Sequence, residues 1–163
     1  MSKEPHMKTW NDLSNEEPGL AEVGRRLLFI SRPHVGYAFL ATLRKDGAPR
    51  LHPISVVIFN DHLYVIIPAT SPKHADFVRD GRYALQVFPP TPNVENEEFY
   101  MAGRADRIQD AQLINTLIEQ TKVSVEKDEV LFELLLDRVM YTRLLDQGTS
   151  CERPVHKKWR AHP

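Results

Sequence analysis

Apolar residues along the chain change their spacing in a way that separates helix from strand. From Pro18 to Arg32, Leu20, Val23, Leu27 and Ile30 recur every three or four residues, which predicts a helix with one face turned to a core. Pro33 and Gly36 stop it. The run Tyr37–Leu43 is apolar and rich in strand formers, and Lys45-Asp46-Gly47-Ala48 after it is a turn signal. Arg50–Phe59 resumes the strand pattern, Asn60-Asp61 turns the chain again, and His62–Ile67 makes a third strand. Two tight turns so close together predict an antiparallel meander.

The pattern then alternates. Ser71 as N-cap and Pro72 at the first helical position predict a short helix over 72–80, ended by Gly81. Arg82–Phe88 reads as a fourth strand, and Pro89-Pro90-Thr91-Pro92 as a loop that cannot join a sheet. Glu97–Ile108 reads as a fifth strand with a bulge at Gly103. Asp110 caps a helix to Thr121 with Leu113, Leu117 and Ile118 inward. Leu131–Leu145 reads as a long strand, although its Leu and Glu content also suits a helix, and Val155–Arg160 as a closing strand. Residues 1–17 read as a flexible arm with one helical entry, and 18–163 as one domain. Six or seven strands with a few short helices predict a mainly β fold, a small antiparallel barrel with peripheral helices, rather than a doubly wound sheet.

Composition narrows the functional classes. The chain has 163 residues, 42% hydrophobic and 26% charged, too few for separate cofactor and substrate domains. The 21 Lys and Arg nearly balance 22 Asp and Glu, which argues against nucleic acid as a partner. Cys151 is the only cysteine, so no internal disulfide is expected. No apolar run is long enough for a membrane span and no signal-type segment stands at the start, so a cytoplasmic protein with no membrane partner is expected. The charge is unevenly placed: an acidic stretch from Glu95 to Asp137 precedes a basic tail with Lys157-Lys158-Trp159-Arg160. Glu95, Glu97 and Glu98 read as a solvated edge.

Candidate chemistry concentrates at Thr70-Ser71-Pro72-Lys73-His74, where a strand gives way to a helix. Free N–H groups and the positive dipole end of a helix suit a phosphate, and a Lys with two hydroxyls adds to that. Simple helix capping with a solvated Lys73 is the alternative. Arg50 and His52, two apart on a strand, share a face and could assist an anion. The seven His show no metal-site spacing, and neither a phosphate-binding loop motif nor a nucleophile elbow is present.

These residues carry a family resemblance. Phe39-Leu40-Ala41-Thr42, Asp46-Gly47-x-Pro49, His52-Pro53-Ile54, Leu63-Tyr64-Val65, Ser71-x-Lys73, Arg82-Tyr83-Ala84-Leu85 and Trp159-Arg160, in that order, resemble the pyridoxamine 5′-phosphate oxidase-like family of FMN-binding split barrels. The resemblance implies a six-stranded split barrel that forms a homodimer, with FMN at the interface. It assigns Arg50, Ser71 and Lys73 to the FMN phosphate, and His52, Pro53 and Ile54 to the flavin ring or ribityl chain. It makes Ile66, Ile67, Pro68 and Thr70 walls and backbone contacts. Gln86 would reach the cofactor, and Trp159 would come from the partner subunit.

Two departures separate the chain from the vitamin B6 oxidases themselves. Positions 51–56 hold no second Lys, and the chain ends Trp159-Arg160-Ala161-His162-Pro163 rather than in Arg-Leu-small-Pro. The resemblance is therefore to the broad flavin-binding and stress-protein branch. It implies an FMN-dependent oxidoreductase, its catalytic residues unassigned, with three alternatives. One is a non-catalytic FMN or haem binder, His156 or His162 supplying an axial ligand. Another is a deazaflavin-dependent reductase. The blandest is a barrel interaction domain with an empty cleft.

Overall fold

Part of the stretch expected to be a flexible arm is built into the core instead. The computed structural model describes residues 6–30, 32–87 and 97–162. Within them, α1 (Trp10–Glu16) starts at a capping box: the Thr9 hydroxyl accepts from the Asp12 N–H, while the Asp12 carboxylate accepts from the Thr9 N–H. Trp10 and Leu13 are fully buried, so desolvation of two large apolar side chains fixes a segment whose polar neighbours suggested an arm. The second helix, α2 (Pro18–Leu28), is shorter than expected. Leu20 and Leu27 are buried as the spacing requires, but Ile30 is 60% exposed because the helix has already ended at Phe29. Pro33 lies just ahead, and the chain must leave helical geometry to enter the sheet. Gly24 is where the helices close on the barrel: a Cβ there would lie 2.5 Å from the Phe99 ring and 2.7 Å from Trp10.

The meander is as expected. β1 (Val35–Leu43), β2 (Pro49–Phe59) and β3 (His62–Pro68) pair antiparallel in turn. Gly47 has a φ of 83°, and Asn60 and Asp61 have φ of 49° and 59°, the left-handed region that these turn residues tolerate. The chain then passes through α3 (Pro72–Arg79) and returns as β4 (Arg82–Val87), which pairs with β1 rather than β3. Phe88 and the loop Pro89–Asn96, including Glu95, lie outside the described residues. β5 (Glu97–Arg107), α4 (Ala111–Thr121), β6 (Glu129–Leu145) and β7 (Arg153–Arg160) complete the order β3-β2-β1-β4-β5-β6-β7. The ambiguous Leu-rich stretch is thus a strand. The barrel closes by the pairing of β3 with β6, so β7, read as a closing strand, is an added edge strand instead. The irregularity expected at Gly103 is present, although the extra residue, Asp137, lies in the opposite strand. A Cβ at Gly103 would stand 1.9 Å from the Leu135 carbonyl oxygen, so only glycine allows β6 this close.

Strand alternation sorts the side chains. Ala38, Leu40, Ile54, Val56, Leu63, Val65, Ile67, Leu85, Met101 and Leu134 fill the barrel interior. α4 covers one outer patch, with Leu117 buried on Val57, Phe59, Tyr64 and Leu131; Leu113 packs there partly, and Ile118 is half-buried. The outer face of β1 and β2 is left more open, with Tyr37 48% and Leu51 66% exposed.

Candidate functional site

Alternation along β2 decides which residues reach the open end of the barrel. Arg50, His52 and Ile54 point inward; Leu51, Pro53 and Ser55 are exposed on the other face. Ile54 is already part of the core, so Arg50 and His52 stand above it, where the interior meets α3. The expected shared face of Arg50 and His52 is therefore present, and it lies against the helix that carries Lys73 and Asp76.

Asp76 organises this corner. Its carboxylate is 3% exposed. Oδ2 accepts from the Thr42 hydroxyl and from Arg50 Nε, each at 2.8 Å, and Oδ1 accepts from both Arg79 terminal nitrogens at 3.3 and 3.2 Å. Burial works to raise its carboxyl, but the hydrogen bonds from Thr42, Arg50 and Arg79 outweigh it and hold the group below the ordinary Asp value. Asp76 thereby fixes Arg50 by Nε alone. Among the described residues, the two terminal nitrogens of Arg50 donate to nothing.

Three further groups around this clamp are uncommitted. Ser71 occupies the N-cap position of α3 as expected, yet its hydroxyl makes no capping bond. Lys73 is half-buried with no ion-pair partner among the described residues, and burial pulls its ammonium below the ordinary lysine value. His52 Nε2 is buried without a hydrogen-bond partner. Burial, then the Lys73 and Arg50 charges, depress its imidazole, while Asp76 pulls the other way. Proximity of cations with unused donors and one saturated carboxylate leaves a local surplus of positive charge. Such a corner is chemically suited to an oxyanion with several acceptor oxygens.

The other expected site residues are dispersed. Ile54 and Ile67 face the barrel interior, so only their backbone could reach a ligand. Ile66 is half-buried on the outer side and lines a cleft of about 570 Å³ with Tyr37, Ser55, Val57, Lys122 and Glu129. That cleft does not include Arg50, Ser71 or Lys73 in its walls. Pro53 is exposed and sits across from Phe39 in the β1–β2 register; Pro68 is half-buried and Thr70 exposed just before α3. Gln86 faces Phe39 from β4 and lines a separate cleft of about 740 Å³ with Thr142 and His156. Trp159 is 8% exposed and donates from Nε1 to Glu16 at 2.9 Å, so it is packed on its own chain. Lys157 pairs with Glu17 at 2.7 Å, which fastens the tail to the first helices.

Sequence reasoning missed Asp76 and Thr42. The only local signal was the three-residue step from Lys73 to Asp76, which places both on one face of a helix. It also misread Glu97, which is 7% exposed rather than solvated. Glu97 accepts both terminal nitrogens of Arg26, at 2.9 and 2.7 Å, and the Tyr141 hydroxyl. These bonds, led by Arg26, hold Glu97 below the ordinary Glu value; burial and then Glu97 push Tyr141 up to about 12.

The family model described as pyridoxamine 5′-phosphate oxidase matches residues 28–143, more than half of the chain. No curated protein matches the sequence. Among solved structures, a heme binding protein from Mycobacterium smegmatis superimposes with a TM-score of 0.57 at 15% identity, over 82% of this chain. This chain spans only 56% of the length of that protein. The heme storage protein HutZ from Vibrio cholerae gives 0.57 at 16% identity, over 74% of this chain and 89% of its own. A NimC/NimA family protein from Clostridium acetobutylicum gives 0.54 at 14% identity, over 91% and 94%. At these identities the likeness is one of fold.

Proposed function

The chain belongs to the pyridoxamine 5′-phosphate oxidase family, and from that premise we propose that it is an FMN-binding flavoprotein, an oxidoreductase passing hydride or electrons between a small-molecule substrate and the flavin. The observation that carries this reading is the uncommitted cationic corner. Among the described residues Lys73 lacks a counter-charge, the outer nitrogens of Arg50 are free, and the Ser71 hydroxyl and His52 Nε2 have no partner. A phosphate monoester supplies the charge and acceptor oxygens that this set lacks. Bound FMN would supply the redox chemistry, since the flavin ring accepts and returns the hydride or electrons.

The chain's own residues bind and orient. Lys73 and Arg50 neutralise the phosphate, and the clamp on Arg50 Nε keeps its guanidinium from turning away. The Ser71 hydroxyl and the Lys73 N–H donate to the same oxygens, since Pro72 has no N–H and those of His74 and Ala75 already donate to the Ser71 carbonyl. By the family resemblance Pro53, Ile66, Pro68 and Thr70 would flank the flavin body, with Ile54 and Ile67 contributing backbone, although Pro53 and Ile66 lie on the outer side, away from the inward-facing Arg50 and His52. Gln86 stands on the outer sheet face, where Tyr37, Phe39 and Leu51 present apolar surface. That exposed patch supports a homodimer in which the partner completes the cofactor site. The lack of a Lys at positions 51–56 argues against vitamin B6 oxidation.

Freshly purified protein is expected to be yellow, with flavin absorbance, and to take up added FMN. Colourless protein that takes up none contradicts the reading. Haem is the second reading, and one observation favours it. His156 lines the cleft beside Gln86, with Nδ1 held by Thr142 at 2.9 Å, and the fold is shared with heme-binding and heme-storage proteins. A Soret band after haem addition, lost in His156→Ala or His162→Ala, would replace FMN with haem. Blue fluorescence after reconstitution would instead point to the deazaflavin.

A further inference from the structure

The four helices differ in how they are fastened to the barrel. At the end of α1, Glu16 accepts from Trp159, and Glu17 pairs with Lys157. α2 is tied by Arg26 to Glu97 and by Arg25 to Asp61. α3 is tied by Asp76 to Thr42 and Arg50. α4 has no such bond among the described residues. Asp110 caps its own first turn, and the Thr116 and Thr121 hydroxyls donate to carbonyls one turn back in the same helix.

Apolar contact therefore holds α4 down. Of its 11 residues only Leu117 is fully buried, on Val57, Phe59, Tyr64 and Leu131, with Leu113 and Ile114 packed partly. β2 is buried on both faces at this point: Val56 and Ile58 belong to the barrel interior, Val57 and Phe59 to the outer patch that α4 covers. The chain is anchored just outside the helix at both ends. The Ile108 N–H donates to the Leu131 carbonyl at 2.9 Å, and the Ala69 N–H donates to the Asp128 carbonyl at 2.7 Å. Between these anchors Asp110 is extended and Lys122 stands at a φ of 58°, so helical geometry stops abruptly at each end. A helix of this length is marginal in water without packing. Loss of the contact around Leu117 would release and unwind α4 without breaking a single ladder bond of the barrel.

We propose that α4 is a hinged lid: the segment between Ile108 and Asp128 opens as a unit from the outer face of β2, β3 and β6 while the barrel stays closed. Opening presents Val57, Phe59, Tyr64 and Leu131 as an apolar face. Gln120 and Thr121 then leave the wall of a cleft of about 290 Å³ that they form against Arg25, Asn60 and Asp61, and the cleft widens onto that face. None of the groups that hold or release the lid belongs to the corner of Arg50, Ser71 and Lys73, so the lid stands whether or not that corner takes a phosphate.

Hydrogen exchange of the full chain, followed by mass spectrometry in urea below the unfolding transition, tests the lid. Amides of α4 should exchange together, about 100-fold faster than those of β1 and β4, and with a weaker dependence on urea. Leu117→Asp should strip protection from α4 alone and raise anilinonaphthalene sulfonate fluorescence, with β1 and β4 still protected and one cooperative unfolding transition retained. Amides of α4 that share the rate and urea dependence of β1 and β4 overturn the proposal, because the helix would then open only with the barrel. A Leu117→Asp protein that loses protection in β1 and β4 overturns it as well.

Discussion

Two arginines in this barrel meet buried carboxylates in different ways. Arg26 gives both terminal nitrogens to Glu97, and the Tyr141 hydroxyl donates to the same carboxylate. Arg50 gives only Nε to Asp76, while Lys73, the Ser71 hydroxyl and His52 Nε2 beside it have no partners among the described residues. A closed network of this kind fixes structure: it ties α2 to the start of β5 and the end of β6. An open one leaves polar groups available to a ligand. Buried polar groups without partners are costly. Trp10 Nε1 and Ser14 Oγ in α1 are two others, but of these only His52 Nε2 stands beside the uncommitted cations Arg50 and Lys73, which is what marks a binding corner.

The sharpest break of the contrast is Asp76→Ala, because Asp76 belongs to both kinds of arrangement. It strands Thr42, Arg50 and Arg79, and the unfolding free energy from urea titration should fall by about 3 kcal/mol. FMN affinity should fall with it, since Arg50 loses its anchor. Lys73→Ala separates the two effects. Its FMN dissociation constant should rise about 100-fold, the loss of a charge-assisted hydrogen bond, while the urea midpoint stays within about 0.5 kcal/mol. Glu97→Gln is the mirror image. Stability should drop by about 1.5 kcal/mol with FMN binding unchanged. A Glu97→Gln protein that loses FMN, or a Lys73→Ala protein that unfolds early, would erase the distinction.

The smallest effect is on pH dependence. Burial, Lys73 and Arg50 depress His52 in the folded chain, so the unfolded chain takes up its proton first as pH falls below the ordinary value of 6.5. Stability without ligand should therefore decline with acid in that window. A dianionic phosphate beside His52 favours the charged imidazole, so FMN should flatten the decline, and His52→Asn should remove it. Thermal unfolding midpoints across that range, with and without FMN, check both.

Local signals in the sequence carried much of the fold. Asp46-Gly47 and Asn60-Asp61 lie where the chain turns with positive φ, and the two-residue step from Arg50 to His52 put both on one face. The N-cap position of Ser71 was legible too, because Pro72 marks the helix start. What failed were pairings between distant residues. Glu97 looked solvated because its partner Arg26 lies 71 positions away, and Asp76 was overlooked because Arg50 lies 26 away. Closure of β3 on β6 has no local signature, which is why β7 was taken for the closing strand. The burial of α1 was half legible: Thr9 and Asp12 form a capping box in plain view, but only the barrel reveals a place for Trp10.

The central claim is that this corner recognises a phosphate. Titrating the same protein with FMN and with riboflavin, which has the flavin without the phosphate, tests it most directly. FMN should bind about 100-fold more tightly than riboflavin, and Lys73→Ala should remove most of that difference. Equal affinity for the two, or a preference that survives Lys73→Ala unchanged, would contradict it.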